Sequence, residues 1–303
     1  MPTGSPGGYL WLLFGHNHRV YVQRGLADFS YKVVLTCSGA VGSATDFGDN
    51  LRLRTKGYQI DDFILSAYPN ARLPDTPFDT TTVVKRVIIK DSPKLEGFGP
   101  KGKATGFFTG LGATFETLVL SNNPAIRAEE WEAIGKQVKT IKTLVIHKAP
   151  EFDDLDALAA LAPTLQTLVL RATGLTTFKV NLSTYANLAI LDLSETPALK
   201  KFDTTVPAKL KNVFISGAGL DTLSQKTLTE LVKADFVDLS KNNLNCDCSN
   251  FPADFVNEAN EKKFLGSTCA TPTEIKGSKF ATTCLNKNFL LFGKRARSLT
   301  RKL

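Results

Sequence analysis

Pairs of apolar residues separated by one position recur along this chain, inside a short phrase that returns many times. Its clearest copy is Phe115-Glu-Thr-Leu118-Val-Leu120. The wording returns at Leu165-Gln-Thr-Leu168-Val-Leu170 and Leu188-Ala-Ile-Leu191-Asp-Leu193, and in degraded form from Ile60, Val84, Ile141, Leu210 and Ala234. The residue opening each apolar pair falls at 63, 87, 118, 144, 168, 191, 213 and 237, in steps of 24, 31, 26, 24, 23, 22 and 24 residues. Two apolar positions flanking one variable position predict a short strand buried on one face. Residues 127–134, 153–161 and 224–233, between strands, have helical spacing, and Ser224 is a suitable N-cap for the last. Leu95, Leu175, Leu199, Leu220 and Leu244 continue the inward pattern after their strands. Phe98, Phe152, Phe178 and Phe202 recur a few residues later, which assigns them to the core.

A period in the twenties carrying L-x-x-L-x-L marks an array in which each unit adds one strand and one return segment. Over residues 59–243, with about eight copies, the chain resembles the leucine-rich repeat family. The resemblance implies an α/β leucine-rich repeat solenoid, with a curved parallel β-sheet on the concave face and short helices or turns on the convex face. It also implies a ladder of asparagines bonding the backbone of the turns. That position holds Asn123 and Asn242, and elsewhere Ser92, Ala149, Thr173, Thr196 and Ala218. Hydroxyls partly substitute for the amide, whereas alanine cannot, so the turn is expected to loosen at Ala149 and Ala218.

The outward strand positions form columns. The central one reads Ile64, Ile88, Val119, Val145, Val169, Asp192, Phe214 and Asp238. The column before it includes Arg86, Thr117, Thr143, Thr167, Asn212 and Phe236. An apolar ladder beside a threonine ladder is thus edged by Lys90, His147, Lys148 and Arg171. Beyond it Asp192, Glu195, Asp235 and Asp238 surround Phe214 and Phe236. Contiguous exposed apolar area marks interaction sites, although valine, isoleucine and threonine suit any strand. Exposed phenylalanines are the better anchors. The candidate binding residues on the concave face are Val119, Val145, His147, Val169, Arg171, Asp192, Phe214, Phe236 and Asp238.

After the last repeat come Cys246-Asp-Cys248, then Cys269-Ala-Thr-Pro272-Thr-Glu-Ile275-Lys-Gly277, then Cys284. Four cysteines allow three disulfide pairings, or one zinc site, although C-x-C is tighter than the usual zinc half-site. Residues 244–285 resemble the cysteine-rich C-terminal cap of extracellular leucine-rich repeat proteins such as matrix proteoglycans, Slit-like guidance proteins and Toll-type receptors. A phenylalanine follows C-x-C where that cap usually has tryptophan. The resemblance implies Cys246–Cys269 and Cys248–Cys284 disulfides, hence an oxidising compartment. Physically, a cap is needed because a last repeat would leave its apolar face in water.

The N-terminal end is less legible. Residues 1–28 show no clear pattern, and Tyr9–Phe14 is too short and poorly flanked for a signal peptide. Residues 29–58 resemble the remnant of an N-terminal cap, reduced to one cysteine, Cys37. That implies an upstream cap and a signal peptide missing from this chain, and a buried free thiol is the alternative.

Charge and motifs narrow the function classes. The net charge is +8, but six basic residues after Cys284, with no acid among them, leave about +2 elsewhere, which argues against a nucleic-acid groove. The basic tail, 286–303, is read as a flexible segment, with an acidic glycan, a lipid headgroup or an amidation signal at Gly293-Lys-Arg295 as sharper readings. Gly97-Phe-Gly99-Pro-Lys-Gly102-Lys103-Ala104 nearly spells a phosphate loop but lacks the hydroxyl at 104 and a following helix, so it reads as a glycine-rich convex loop. His16 and His18 have no further ligand at metal spacing. No cofactor or catalytic group is expected, and no apolar run reaches the length of a membrane span. Asn181-Leu-Ser183 is a glycosylation sequon on a return segment. The expectation is a secreted or cell-surface protein that binds another protein, or a glycan, through its concave face in recognition, adhesion or innate-immune roles. The alternative is a non-catalytic partner subunit of a secreted enzyme complex.

Overall fold

The computed structural model describes residues 10–13, 18–24, 31–39, 42–101, 106–138, 140–247, 251–252, 254–264, 266–271 and 277–282, with side chains from Lys32 onward. The chain divides into two compact units, Met1–Val169 and Leu170–Leu303.

In the first unit, β1 (Leu10–Leu13), β2 (His18–Arg24) and β3 (Tyr31–Ser38) run antiparallel in succession. Then follow β4 (Gln59–Ser66), β5 (Val83–Lys90), β6 (Thr117–Ser121), β7 (Thr143–Ala149) and β8 (Thr167–Thr173), side by side in sequence order. From β3 to β7 each pair is parallel. The register sets like on like. Phe63, Val87, Leu118 and Leu144 oppose one another, as do Leu65, Ile89, Leu120 and Ile146, and all are buried. Each such side chain contributes about 2 kcal/mol of burial. The same register reaches one strand upstream of the first legible repeat, because Leu35 opposes Phe63 and Cys37 opposes Leu65. Cys37 therefore occupies an inward leucine position. Its thiol is buried and free, and burial pushes its pKa up to about 12.

Helical turns fill the segments 127–134 and 153–161, as their spacing predicts, and a further helix, not anticipated from the sequence, lies in 29–58. α1 (Ala44–Thr55) starts at Ser43, whose hydroxyl accepts the Asp46 N–H at 3.1 Å, and buries Phe47 and Leu51. α2 (Ala128–Gln137) buries Trp131 and Ile134, and a 3-10 turn at Asp156–Leu161 buries Leu158 and Leu161. The long step between β5 and β6 supplies rings to this layer. Phe98 meets Phe108 at 5.4 Å and Trp131 at 6.0 Å, and Trp131 meets Phe152 at 5.2 Å. The glycine-rich loop wraps an ion pair. Arg72 bonds the Gly99 carbonyl and Glu130, the latter at 2.6 Å, and Glu130 accepts the Phe98 N–H at 3.1 Å. A Cβ at Gly97 would lie 2.6 Å from the Arg72 guanidinium, so this glycine is there for close packing. Gly102, Lys103 and Ala104 lie outside the described residues.

The second unit opens on the end of β8 and contains β9 (Thr177–Asn181), β10 (Ile190–Asp192), β11 (Lys201–Thr205), β12 (Asn212–Phe214), α3 (Gln225–Leu231), β13 (Phe236–Asp238) and α4 (Glu258–Lys263). β10, β12 and β13 are parallel neighbours. β9 and β11 pair in a separate parallel sheet where turns were expected, with Phe178 and Phe202 stacked at 5.2 Å. Their alternation of buried Phe with exposed Lys makes a strand the better local solution. Ser224 caps α3 through the Thr227 N–H at 3.1 Å. At the C-terminal end Cys246 and Cys269 form a disulfide with Cα atoms 5.7 Å apart, and Phe255 packs edge to face on Phe264 and Phe280, as Phe251 does on Phe280. The cap also closes hydrogen bonds of the last strand, since Ser267 Oγ accepts the Leu239 N–H at 3.0 Å. Cys248 and Cys284 lie outside the described residues, as do residues 1–9, His16 and the basic tail.

One backbone device recurs after every repeat strand. Ala67, Asp91, Asn122, Lys148, Ala172, Glu195, Gly217 and Lys241 have φ between 50° and 63°. Each precedes the ladder position. A left-handed residue other than glycine costs about 1 kcal/mol. The turn persists because the same N–H bonds a carbonyl of the next repeat, as Asp91 does to Ser121 at 3.0 Å and Asn122 to His147 at 2.8 Å. The ladder side chains reach one repeat upstream. Asn123 accepts the Ser92 N–H at 3.1 Å and donates to the Ile89 carbonyl at 2.9 Å. Asn242 accepts from Ala218, Gly219 and Leu220 and donates to Ile215 at 2.7 Å. This corrects one expectation: the turn at Ala218 is firmly held, and the bond that an alanine omits is lost by the preceding turn. Hydroxyls substitute in part, since Ser92 Oγ accepts the Tyr68 N–H at 3.0 Å and Thr196 Oγ1 donates to the Leu170 carbonyl at 3.2 Å, whereas the buried hydroxyl of Thr173 has no partner.

Candidate binding surface

On the first unit the outward positions lie where alternation put them. Ile64 opposes Ile88, Ile88 opposes Val119 and Val119 opposes Val145, all half-buried, with Thr117 opposite Thr143 beside them. Val169 on β8 is half-buried as well. His147 faces Ser121 and shares a 3.1 Å hydrogen bond with its hydroxyl.

The start of this unit's strands carries a cluster that the sequence reading missed. Asp62, 4% exposed, binds Lys32 at 2.5 Å and takes a fork from Arg86 at 2.5 and 2.7 Å. Asp61 binds Lys85 at 2.7 Å and accepts the Val33 N–H at 2.9 Å. Burial opposes ionisation of both acids, but the bonds from Arg86 and Lys32 to Asp62, and from Lys85 and Val33 to Asp61, outweigh it and hold each carboxyl below its ordinary range. The signal was present: aligning the phrases from Ile60 and Val84 sets Asp61 on Lys85 and Asp62 on Arg86.

On the second unit, Asp192 opposes Phe214 and Phe214 opposes Asp238 in one column, and Phe236 sits beside Asn212 in the column before it. All are half-buried. The rings of Phe214 and Phe236 touch across the diagonal, with centroids 5.6 Å apart and planes at 50°. One carboxylate oxygen of Asp192 accepts the Ser194 N–H, and one of Asp238 accepts the Ser240 N–H, each at 2.8 Å. Arg171, read from sequence as a basic edge of the apolar ladder, instead pairs with Glu195 at 2.6 Å and lies 3.8 Å from Asp192. Its charge is taken up by the acids beside it.

Asn181 ends β9 with its side chain exposed, and its Oδ1 accepts from Ser183 and from Thr205 at 2.6 Å. Among the described residues there is no group of three His, Cys, Asp or Glu side chains placed to hold a metal ion.

No protein-family model matches the chain, and no curated protein matches it in sequence. Among solved structures, it is similar to human 5T4 (Wnt-activated inhibitory factor 1, trophoblast glycoprotein) at 18% identity, with a TM-score of 0.54, over 82% of this chain and 92% of that one. A second match is to the mouse RP105/MD-1 complex, at 12% identity and a TM-score of 0.32, over 82% of this chain and 57% of that one. The repeat register, the recurring left-handed turn, the disulfide at the end of the array and the likeness to 5T4 together establish that this chain has the leucine-rich repeat fold.

Proposed function

We propose that this is a secreted or cell-surface protein, without catalytic activity, that binds another protein through the outward face of its strands, centred on Phe214 and Phe236. The ring pair carries the reading. Two phenylalanines in contact at 5.6 Å on a strand face, neither in the core, are what a buried anchor looks like before its partner arrives. The Cys246–Cys269 disulfide supports an oxidising compartment, and the exposed Asn181 sequon is a site where a glycan would be tolerated. The open strand face, where water has access to the Ser121–His147 pair, favours binding over chemistry. A non-catalytic subunit of a secreted enzyme complex would use the same face.

The test is cross-linked capture of the native partner by the wild-type protein and by the Phe214→Ala, Phe236→Ala double variant, with intact mass measured with and without reduction. Loss of capture in the folded variant, with a mass showing disulfides, supports the proposal. A chain whose five thiols are all free, or capture indifferent to both rings, overturns it.

A further inference from the structure

Around the ring pair the carboxylates are fixed in advance. Asp192 and Asp238 stand on either side of Phe214, one strand away each, so about 10 Å of sheet holds acid, ring and acid in a row. Each acid spends one oxygen on the N–H two residues on, which restrains its rotamer and leaves the other oxygen for a further partner. The second oxygen of Asp192 lies 3.8 Å from Arg171. Asp238 forms no ion pair with any described cation, although Lys211 and Lys241 are close in sequence to this patch. The result is an aromatic floor with one spare, oriented carboxylate at its edge.

We propose that this patch is a subsite for an arginine side chain of the protein partner. The inference rests on the binding face proposed above and deepens it. A guanidinium placed over one ring of this tilted pair, with the other ring at its side, gains the attraction between a cation and an aromatic ring, and one of its N–H groups meets the free oxygen of Asp238. Arginine suits the site better than lysine, because its planar, weakly hydrated group stacks on rings while bonding a carboxylate in the same plane. Charge complementarity favours a cation over an apolar side chain, which would bury the Asp238 oxygen unpaired. Asn212, opposite Phe236, offers an amide to the peptide backbone carrying that arginine.

The experiment follows the ring resonances of Phe214 and Phe236 in the full-length protein on titration with N-acetyl-arginine amide, and with N-acetyl-citrulline amide, which keeps the shape and loses the charge. Saturable shifts with the arginine amide, roughly tenfold weaker with citrulline, are expected. Asp238→Asn should abolish that preference, and Glu116→Gln, on an exposed pair of the first unit, should not change it. Equal response to both amides, no response, or a preference that survives Asp238→Asn overturns the proposal. A further arm replaces Arg295, Arg297 and Arg301 by Gln in the full chain. If the ring resonances then move before any amide is added, the occupant is this chain's own basic tail and the partner assignment is wrong. Capture of the native partner separates the two levels. If Phe214→Ala abolishes capture and Asp238→Asn does not, the binding face stands and the arginine subsite falls. If neither variant matters, the binding face itself falls.

Discussion

On the first unit the outward strand positions Ile64, Ile88, Val119 and Val145 lie beside several side chains that pair within the unit, while Lys90 and Lys148 at the edge stay exposed. Lys85 serves Asp61, Arg86 and Lys32 serve Asp62, His147 serves Ser121 and Lys142 serves Glu116. On the second unit the corresponding positions hold Asp192, Phe214 and Asp238, with two rings half out of the core and one carboxylate oxygen without a cation. The inward positions hardly differ between the two, because both must fill a strand-to-strand core. The outward positions are released from that demand, so what they carry reports on surface chemistry. A face that satisfies itself has little left for a partner, whereas an exposed ring pair beside an oriented acid does.

Several substitutions would break or sharpen this contrast. The largest effect is in the core behind the first face. Trp131→Ala removes a ring, 2% exposed, that meets Phe98 and Phe152, and should cost about 4 kcal/mol by chemical denaturation while leaving partner capture by Phe214 and Phe236 intact in the folded fraction. In the second unit, Asn242→Ala leaves three backbone N–H groups of the turn at Ala218 without their acceptor, for a loss of about 3 kcal/mol, with hydrogen exchange rising first at residues 218–220. The faces themselves come next. Phe214→Ala should weaken partner binding by about 2 kcal/mol, and Val145→Ala, on the self-satisfied face, by less than about 0.5 kcal/mol, both by titration calorimetry. Equal losses at the two positions would erase the distinction.

Two smaller effects test the electrostatics and the turns. Asp61 and Asp62 are held below the ordinary value of 3.8, so the folded state binds fewer protons there than the unfolded state does. Their contribution is present above that ordinary value and is lost as pH falls through the lowered one. Melting temperature followed into acid should fall less steeply in Asp62→Asn, which at neutral pH should cost roughly 1 kcal/mol because Arg86 and Lys32 are partly in water. Lys148→Gly should stabilise the chain by about 0.5 kcal/mol, since φ there is 55° and the side chain is exposed. A melting temperature that drops instead would show that the left-handed turn is not strained.

Most of the repeat architecture was legible because it depends on spacing. Strand positions, the inward leucines, the return helix after Arg127 and the capped helix after Ser224 all follow from local period and capping. The pairing Cys246–Cys269, which the family resemblance implied, is present. The parallel pair formed by β9 and β11 was not foreseen, because five residues of alternation between two repeats look like any return segment until a second copy lies beside them. The ion pair of Arg171 with Glu195 was not foreseen for a related reason. A column reading gives the order of side chains along a face but not which neighbour a long, flexible guanidinium will choose.

The repeated phrase, through the family resemblance it carries, implied that successive strands would stack in parallel with like positions opposed, a register that buries both apolar residues of every phrase. It also determined where the outward columns run. Only the tertiary structure decided which outward groups remain available. It showed that Cys37 is a core residue in a strand upstream of the first legible repeat, that ladder side chains serve the preceding turn, and that Arg171 is occupied while Asp238 keeps an oxygen free. Those outcomes depend on distances of a few ångströms between residues some two dozen positions apart, where hydrogen bonds and ion pairs form or fail, and no local pattern encodes them.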